Sequence, residues 1–362
     1  MSDAASGWHG RSVLVTGHTG FKGGWLALWL NQLGARVHGF SLEPPTQPNL
    51  FEVARIGSLL ASDVRADLAD LSALKSAFAS ARPEIVFHLA AQPLVRDSYR
   101  DPRGTFATNV MGMAHVLEAA RESEAVRALV LITTDKVYEN REDSAHAYRE
   151  TDRLGGHDPY SASKAAAEIV AASYRSSFFS EHGKGKALVA TARAGNVIGG
   201  ADWAAERLIP DCLRAFERGE PVVLRYPNAL RPWQHVLEPL SGYLRLAERL
   251  VAKDGRRFAT AWNFGPETAE DAPVGLVAQI IARLWGDDAR VEHMPSTDNP
   301  HEAGFLRLDS SKARHELSWR PHWSLQQSLE KTVAWHRAWM KHADMMGFSL
   351  GQIREYEMAR PS

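Results

Sequence analysis

Short apolar runs alternate with longer stretches of helical period through the first half of the chain. In order they read SVLVTG, GGWLALWLNQLG, ARVHGFSL, LSALKSAFASA, EIVFHLAA, TFATNVMGMAHVLEAARE and RALVLITT. Strands that are apolar almost throughout, each separated from the next by a helix, predict a parallel sheet buried on both faces, a doubly wound α/β fold. A helix from Tyr160 to about Phe179 and a strand in ALVATARAGNV extend the rhythm toward residue 197. Beyond it, RLIPDCLRAFERGEPVVLRYPNALRPWQHV and APVGLVAQIIARLWGDDARVEHM mix helices with short strands and prolines, which predicts a smaller, interleaved second lobe. The stretch LQQSLEKTVAWHRAWMKHADMM carries apolar residues at helical spacing and reads as a packed amphipathic helix.

Composition narrows the classes. A chain of 362 residues with 44% hydrophobic residues buries a large core. A net charge of -1 without any basic run argues against nucleic acid as the main partner, since phosphate backbones are held by clustered Lys and Arg. Cys212 is the single cysteine, which excludes an internal disulfide, suits a reducing compartment and reads as a core residue rather than a nucleophile. The start, MSDAASGWHGRSVLVTG, lacks the apolar core of a signal peptide, and no stretch reaches the roughly 18 apolar residues of a spanning helix. A cytoplasmic location is the expectation.

Chemistry enters at VLVTGHTGFKGGWLALWL, where Gly17, Gly20 and Gly23 recur at three-residue spacing between the first strand and the first helix. The first glycine permits the tight turn and the second lets backbone approach a pyrophosphate, which the N–H groups of the helix start then hold. Thr19, Phe21 and Lys22 lie inside this loop. The end of the second strand, GFSLEPP, offers no aspartate for an adenosine ribose. Ser41 takes that place with Glu43 two residues on, and no Arg or Lys follows to hold an extra phosphate, which favours NAD over NADP. Asp63 with Val64 is the candidate for the adenine edge; the plainer alternative is a loop aspartate. On this reading residues 1–195, with part of about 231–265, form the dinucleotide-binding domain, and 196–230 with 266–362 form the substrate domain.

ITTDKVY breaks an apolar strand with four polar side chains, Thr133, Thr134, Asp135 and Lys136, where a parallel sheet delivers its chemistry. PYSASKAAAEI sets Tyr160 and Lys164 four residues apart on one helix face. A neighbouring ammonium stabilises tyrosinate, so Lys164 is expected to bring Tyr160 down from about 10 and make it a general base.

Glycine loop, Thr-Thr-Asp strand end and Tyr-Lys pair, in this order, resemble the extended short-chain dehydrogenase/reductase superfamily over nearly the whole chain. HLAAQPLVRDSYRDP, TTDKVYEN, ARAGNVIGGADWAAERLIPDCLRA and LRPWQHVLEPLSGYL resemble the CDP-glucose branch of its sugar-nucleotide 4,6-dehydratases. The dTDP-glucose branch carries Asp-Glu where this chain has Asp135-Lys136. The resemblance implies a Rossmann-type fold, NAD as cofactor and CDP-glucose as substrate; the residues themselves offer no metal site, and no metal is expected. It implies that Thr134, Tyr160 and Lys164 serve oxidation at carbon 4 of the sugar, and that Asp135 and Lys136 serve loss of water across carbons 5 and 6. Whether Lys136 is the base at carbon 5 or a charged stabiliser of the enolate stays open. Ala90 and Ala91 join the cofactor loop. Gln92, Arg96, Asn196, Arg207, Leu208 and Arg231 face the substrate, with Val222 and Leu224 along base and ribose and His235 nearby; His235 and His301 have no metal-type neighbours in sequence. Relatives pair as homodimers through a four-helix bundle, here the TFATNVMGMAHVLEAA helix and the one carrying Tyr160. An epimerase or reductase would share the glycine loop, Thr134, Tyr160 and Lys164 but would not need an ionisable pair at 135 and 136; a dehydratase acting on another nucleotide-hexose is a further alternative, and a non-catalytic nicotinamide-binding protein would not need the Tyr-Lys pair.

Overall fold

The computed structural model describes residues 7–143, 145–183, 185–267, 271–286, 289–293 and 304–359, so His301 lies outside the described residues. Its centre is a seven-stranded parallel sheet. The strands are β1 (Ser12–Thr16), β2 (Arg36–Ser41), β3 (Ser62–Arg65), β4 (Ile85–His88), β5 (Ala128–Ile132), β6 (Leu188–Ala194) and a last strand, Ala261–Phe264, arriving late in the chain. Their spatial order is Ala261–Phe264, β6, β5, β4, β1, β2, β3. Because β1 lies between β2 and β4, the chain winds away from it in both directions, and the loops leaving β1 and β4 part to open a crevice.

The near-continuous apolar strands are explained by burial on both faces. In β1, Val13 and Val15 enter one core and Leu14 the other; in β5, Ala128, Val130 and Ile132 face one way and Leu129 and Leu131 the opposite way. The first core is covered by α1 (Phe21–Gln32), through Trp25, Leu26 and Trp29, and by a helix at Leu237–Val251, through Leu240 and Tyr243. The second is covered by α2 (Leu71–Ala81), α3 (Gly112–Glu122) and α4 (Pro159–Ser177).

One feature differs from the sequence expectation. The TFATNVMGMAHVLEAARE helix is not uniform: Pro102–Phe106 is followed by a π turn at Ala107–Met111 before α3 begins. The wider turn carries Asn109 inward, where its side chain accepts from Gln92 N at 2.9 Å and donates to Ser163 Oγ at 2.9 Å. The last strand, which extends the main sheet beside β6, falls within the late segment of about 231–265 that the sequence assigns in part to the dinucleotide-binding domain. Outside that sheet, short pairs join Val222–Leu224 to Val291–His293 and Leu230–Arg231 to Ala272–Pro273. Helices Leu208–Glu217, Val274–Trp285 and Leu325–Met340 pack around a core that holds Cys212, fully buried and with its thiol pushed up to about 12 by burial. Among the described residues no helix is long and apolar enough to cross a membrane.

Candidate active-site cleft

Gly17 follows β1 at φ +77, and a Cβ there would stand 2.6 Å from Ala90 N. A Cβ on Gly23 would stand 2.1 Å from Gly17 O, so only glycine allows the helix to start this close to the strand. Gly20 is the N-cap of α1 and supplies no side chain to its free N–H groups. These open onto a cleft of about 1130 Å³ lined by Gly17, Thr19, Gly20, Phe21, Lys22, Gly23, Ser41, Ala90 and Ala91. Thr19 Oγ1 lies 2.8 Å from Ser41 Oγ and donates to Leu42 O at 3.0 Å, which ties loop to strand end. The cradle suits a dinucleotide pyrophosphate.

Asp63 and Val64 do not line this cleft. The strand β3 runs on to Arg65, so its carboxyl end comes after Asp63, and the wall there is Ala66, Asp67 and Leu68. Asp63 is instead occupied: His18 Nε2 lies 2.8 Å from its Oδ1, and Arg65 donates to both oxygens at 2.8 and 2.9 Å. His18 fits because β2 has Gly39 opposite, where a Cβ would come within 2.5 Å of the imidazole. Arg65 also reaches Glu43 at 3.2 Å and Leu42 O at 3.4 Å. A cation therefore does stand beside the end of β2, supplied by the next strand and neutralised by two carboxylates.

Thr134, Asp135, Lys136, Tyr160 and Lys164 line the same cleft. Asp158 and Ser161 form a capping box that starts α4 behind Pro159 and aims Tyr160 and Lys164 at the end of β5. Thr134 caps a 3₁₀ turn at Asp135–Val137, and its Oγ1 donates to Asp135 Oδ1 at 3.0 Å. Asp135 Oδ2 is buried without a hydrogen bond from the protein and lies under Gly195, where a Cβ would sit 2.8 Å from it. Burial pushes this carboxyl above the ordinary carboxylate range, against the pull of Lys136, Thr134, Arg231 and Lys22. Burial likewise brings Lys164 down to about 8, and burial with Arg207 and Lys164 brings Lys22 to about 7.

The expected activation of Tyr160 is not what the protein alone provides. Burial raises the phenol to about 12; the Thr134 hydrogen bond lowers it and Asp135 raises it further. Lys164 spends a hydrogen bond on Ile132 O at 3.2 Å, and its charge is itself weakened by burial. Lowering by Lys164 alone is thus corrected to a competition in which desolvation wins.

Gln92, Arg96, Asn196, Arg207, Leu208, Val222, Leu224 and Arg231 also line the cleft. Arg207 donates to Asp202 Oδ2 at 2.9 Å and Arg96 to Glu206 at 3.3 Å. Gln92 is committed to its own loop and to the Pro102–Phe106 helix, donating to Leu94 O and Thr105 Oγ1. His235 is a correction: it is fully buried between Trp25 and Trp323, away from the cleft, with its imidazole driven to about 3 by burial. Among the described residues no group of three or more His, Cys, Asp or Glu is placed to hold a metal ion.

Sequence reasoning missed several residues. Asp67 needed the true end of β3. Trp203, which lines the cleft and meets Trp335 and Trp339 edge-on, sits in an irregular loop without a periodic signal. Glu168 did carry one: a carboxylate on the inward face of α4, one turn after Lys164. It is buried and bonded to Arg193 at 2.8 and 2.9 Å, Thr133 Oγ1 at 2.5 Å and Thr191 Oγ1 at 2.7 Å.

Residues 14–332 match the GDP-mannose 4,6-dehydratase family. The chain is 49% identical to the CDP-glucose 4,6-dehydratase of Salmonella typhimurium over 357 residues, 97% of this chain and 98% of the relative. It is 28% identical to a dTDP-glucose 4,6-dehydratase of Xanthomonas campestris over 342 residues, 89% of this chain and 92% of that one. A dTDP-glucose 4,6-dehydratase from Bacillus anthracis in complex with NAD superposes with a TM-score of 0.75 at 22% identity, covering 93% of this chain and 99% of that one. An epimerase from Methanothermobacter thermautotrophicus reaches 0.79 at 24% identity, covering 94% and 96%. At these identities the two structural likenesses speak to the fold.

Proposed function

The chain belongs to the GDP-mannose 4,6-dehydratase family, and from that premise we propose that it is an NAD-dependent CDP-glucose 4,6-dehydratase, a hydro-lyase making CDP-4-dehydro-6-deoxy-D-glucose and water. The reaction is carried by one observation: a desolvated acid, Asp135, and Lys136 share a glycine-loop cleft with Tyr160 and Lys164. The nucleotide is taken from the Salmonella typhimurium relative, alike along the whole chain.

The glycine loop, Ser41, Ala90 and Ala91 would hold NAD, with Asp67 beside them. When bound, NAD supplies a hydride acceptor and returns what it took, so it ends unchanged. Tyr160 accepts the proton of the carbon 4 hydroxyl while Thr134 hydrogen-bonds the same oxygen and Lys164 favours the anionic phenol. The new ketone acidifies the hydrogen on carbon 5. Asp135, whose protonated form burial favours, gives its proton to the departing carbon 6 hydroxyl, so water leaves and a carboxylate remains to be reprotonated. Lys136 takes the carbon 5 proton or, kept charged, stabilises the enolate. Arg207, Arg231 and Asn196 suit the diphosphate, because guanidinium groups bind such oxygens through paired, charge-assisted hydrogen bonds.

The same reading includes a homodimer. Met111 is 53% exposed in the π turn, Ile169 is 60% exposed on α4, and Phe106, just before the π turn, and Phe178, at the end of α4, are exposed as well. Exposed large apolar residues on the two expected pairing helices suit a second copy of the chain. It also includes a cytoplasmic location, checked by cell fractionation, and the two-domain division drawn from the sequence, checked by limited proteolysis.

Incubated with NAD and CDP-, dTDP-, GDP- or UDP-glucose, the protein should form a 4-keto sugar chromophore with the CDP sugar by preference. Comparable rates with all four would remove the nucleotide assignment, and an unchanged 6-hydroxyl in the product would favour an epimerase. Lys136→Ala should leave oxidation at carbon 4 largely intact and slow water loss by about 100-fold or more, so that reduced nicotinamide absorbance accumulates. Loss of carbon 5 exchange with deuterated solvent in this variant marks Lys136 as the base, retained exchange marks the stabiliser, and normal dehydration removes it from the mechanism. Ile169→Glu should convert a sedimenting dimer to monomer at micromolar concentration; a monomeric parent protein would contradict the dimer.

A further inference from the structure

Beneath the reacting groups lies a buried charge system that the mechanism does not use. Glu168 and Arg193 are each 3% exposed. Thr191 and Arg193 alternate along β6 with Ala190, Ala192 and Ala194, so they face α4, where Glu168 accepts four hydrogen bonds: two from Arg193, one from Thr191 and one from Thr133. Thr133 is the residue between Ile132, whose carbonyl accepts from Lys164, and Thr134. Glu168 therefore grips the same strand end that Lys164 grips, from the next turn of the same helix. Arg193 passes the connection on. Its Nη1 donates to Tyr138 OH at 2.9 Å, Tyr138 donates to Asn263 Oδ1 at 2.6 Å, and Asn263 donates to Tyr148 O and Asp309 O.

We propose that Glu168 is a positioning residue that keeps Lys164 charged and the Thr133–Asp135 segment in place, and so sets the alkaline limit of turnover. The role rests on the dehydratase reading above, in which Lys164 must be protonated to favour the phenolate. Burial works against that charge, and Glu168 is the group that opposes it. Glu168 itself stays ionised, because Arg193 and the two threonines outweigh its burial. Other groups around Lys164 do not substitute for it. Tyr160 on the same helix is held neutral by burial, the Asp135 carboxyl on the 3₁₀ turn packed against that helix is pushed toward its neutral form by burial, His88 on β4 is driven to about 3, Lys22 on α1 is a like charge, and Arg175 and Arg193 are cations that answer to Glu168. The sign follows: activity that needs protonated Lys164 is lost as pH rises through its titration, and removing the anion moves that loss to lower pH.

The test compares Glu168→Gln, Glu168→Asp and the double variant Glu168→Gln/Arg193→Met, which removes the anion without leaving a buried cation unpaired. Two readouts are taken across pH: the rate of 4-keto sugar formation, and competitive acetylation of Lys164 in the cofactor-free protein by peptide mass spectrometry. Both Gln variants should move the alkaline limb and the labelling midpoint down by about one unit, a tenfold loss on the alkaline side, while Glu168→Asp stays near the parent. If Glu168→Gln does not fold, the double variant carries the test. A folded double variant whose rate profile and labelling midpoint both coincide with the parent would leave Glu168 a purely structural residue and overturn the proposal. Should the parent protein turn over no nucleotide sugar, the labelling midpoint still decides the role of Glu168 apart from the reaction assigned above.

Discussion

Withdrawal of ionisable side chains from water at the carboxyl ends of the central strands governs this site. The doubly wound sheet places the ends of β1, β4 and β5 side by side at its switch point, and the helices that bury the sheet bury those ends with it. There the same desolvation acts in opposite directions on acids and bases. It raises Asp135 and Tyr160 and lowers Lys22 and Lys164, which brings the proton affinities of a carboxyl and two amines toward neutrality. Oxidation followed by elimination needs groups that give up and accept protons at one pH, and burial supplies them before any ligand enters.

Such burial is tolerated only where the remaining charges are paired. The Glu168–Arg193 pair is the deepest of these, with four hydrogen bonds onto one carboxylate. Removing one partner of a buried pair costs about 3–5 kcal/mol, a large part of a domain's stability. At the other end of the cleft, Asp63 is bonded to His18 and Arg65, and the carboxylates that line the cleft around Ser41 are Glu43 and Asp67.

Much of this was legible in the sequence because it follows from periodicity. Strands apolar on both faces announce a covered parallel sheet, and the glycine spacing announces backbone approach; both are local properties. Tyr160 and Lys164 were readable for the same reason, since four residues on a helix fix a shared face. What escaped depended on distances between segments remote in sequence. Asp63 looked like the adenine contact because the extent of β3 is set by its pairing with β2, and His235 looked close to the substrate because nothing local shows that Trp25 and Trp323 close over it. The protonation of Tyr160 was misjudged in the same way: the lysine next to it is a sequence fact, whereas the desolvation that outweighs it belongs to the folded cleft.

The sheet, the glycine loop and the Tyr-Lys pair would equally serve an epimerase; what separates the two chemistries is whether hydrogen moves from one sugar carbon to another. The most direct measurement uses CDP-glucose deuterated at carbon 4, converted by the protein with NAD and analysed by NMR of the product. The account predicts that the label leaves carbon 4 and appears at carbon 6 of a 4-keto-6-deoxy sugar. Label retained at carbon 4 of a sugar that still bears its 6-hydroxyl would contradict it.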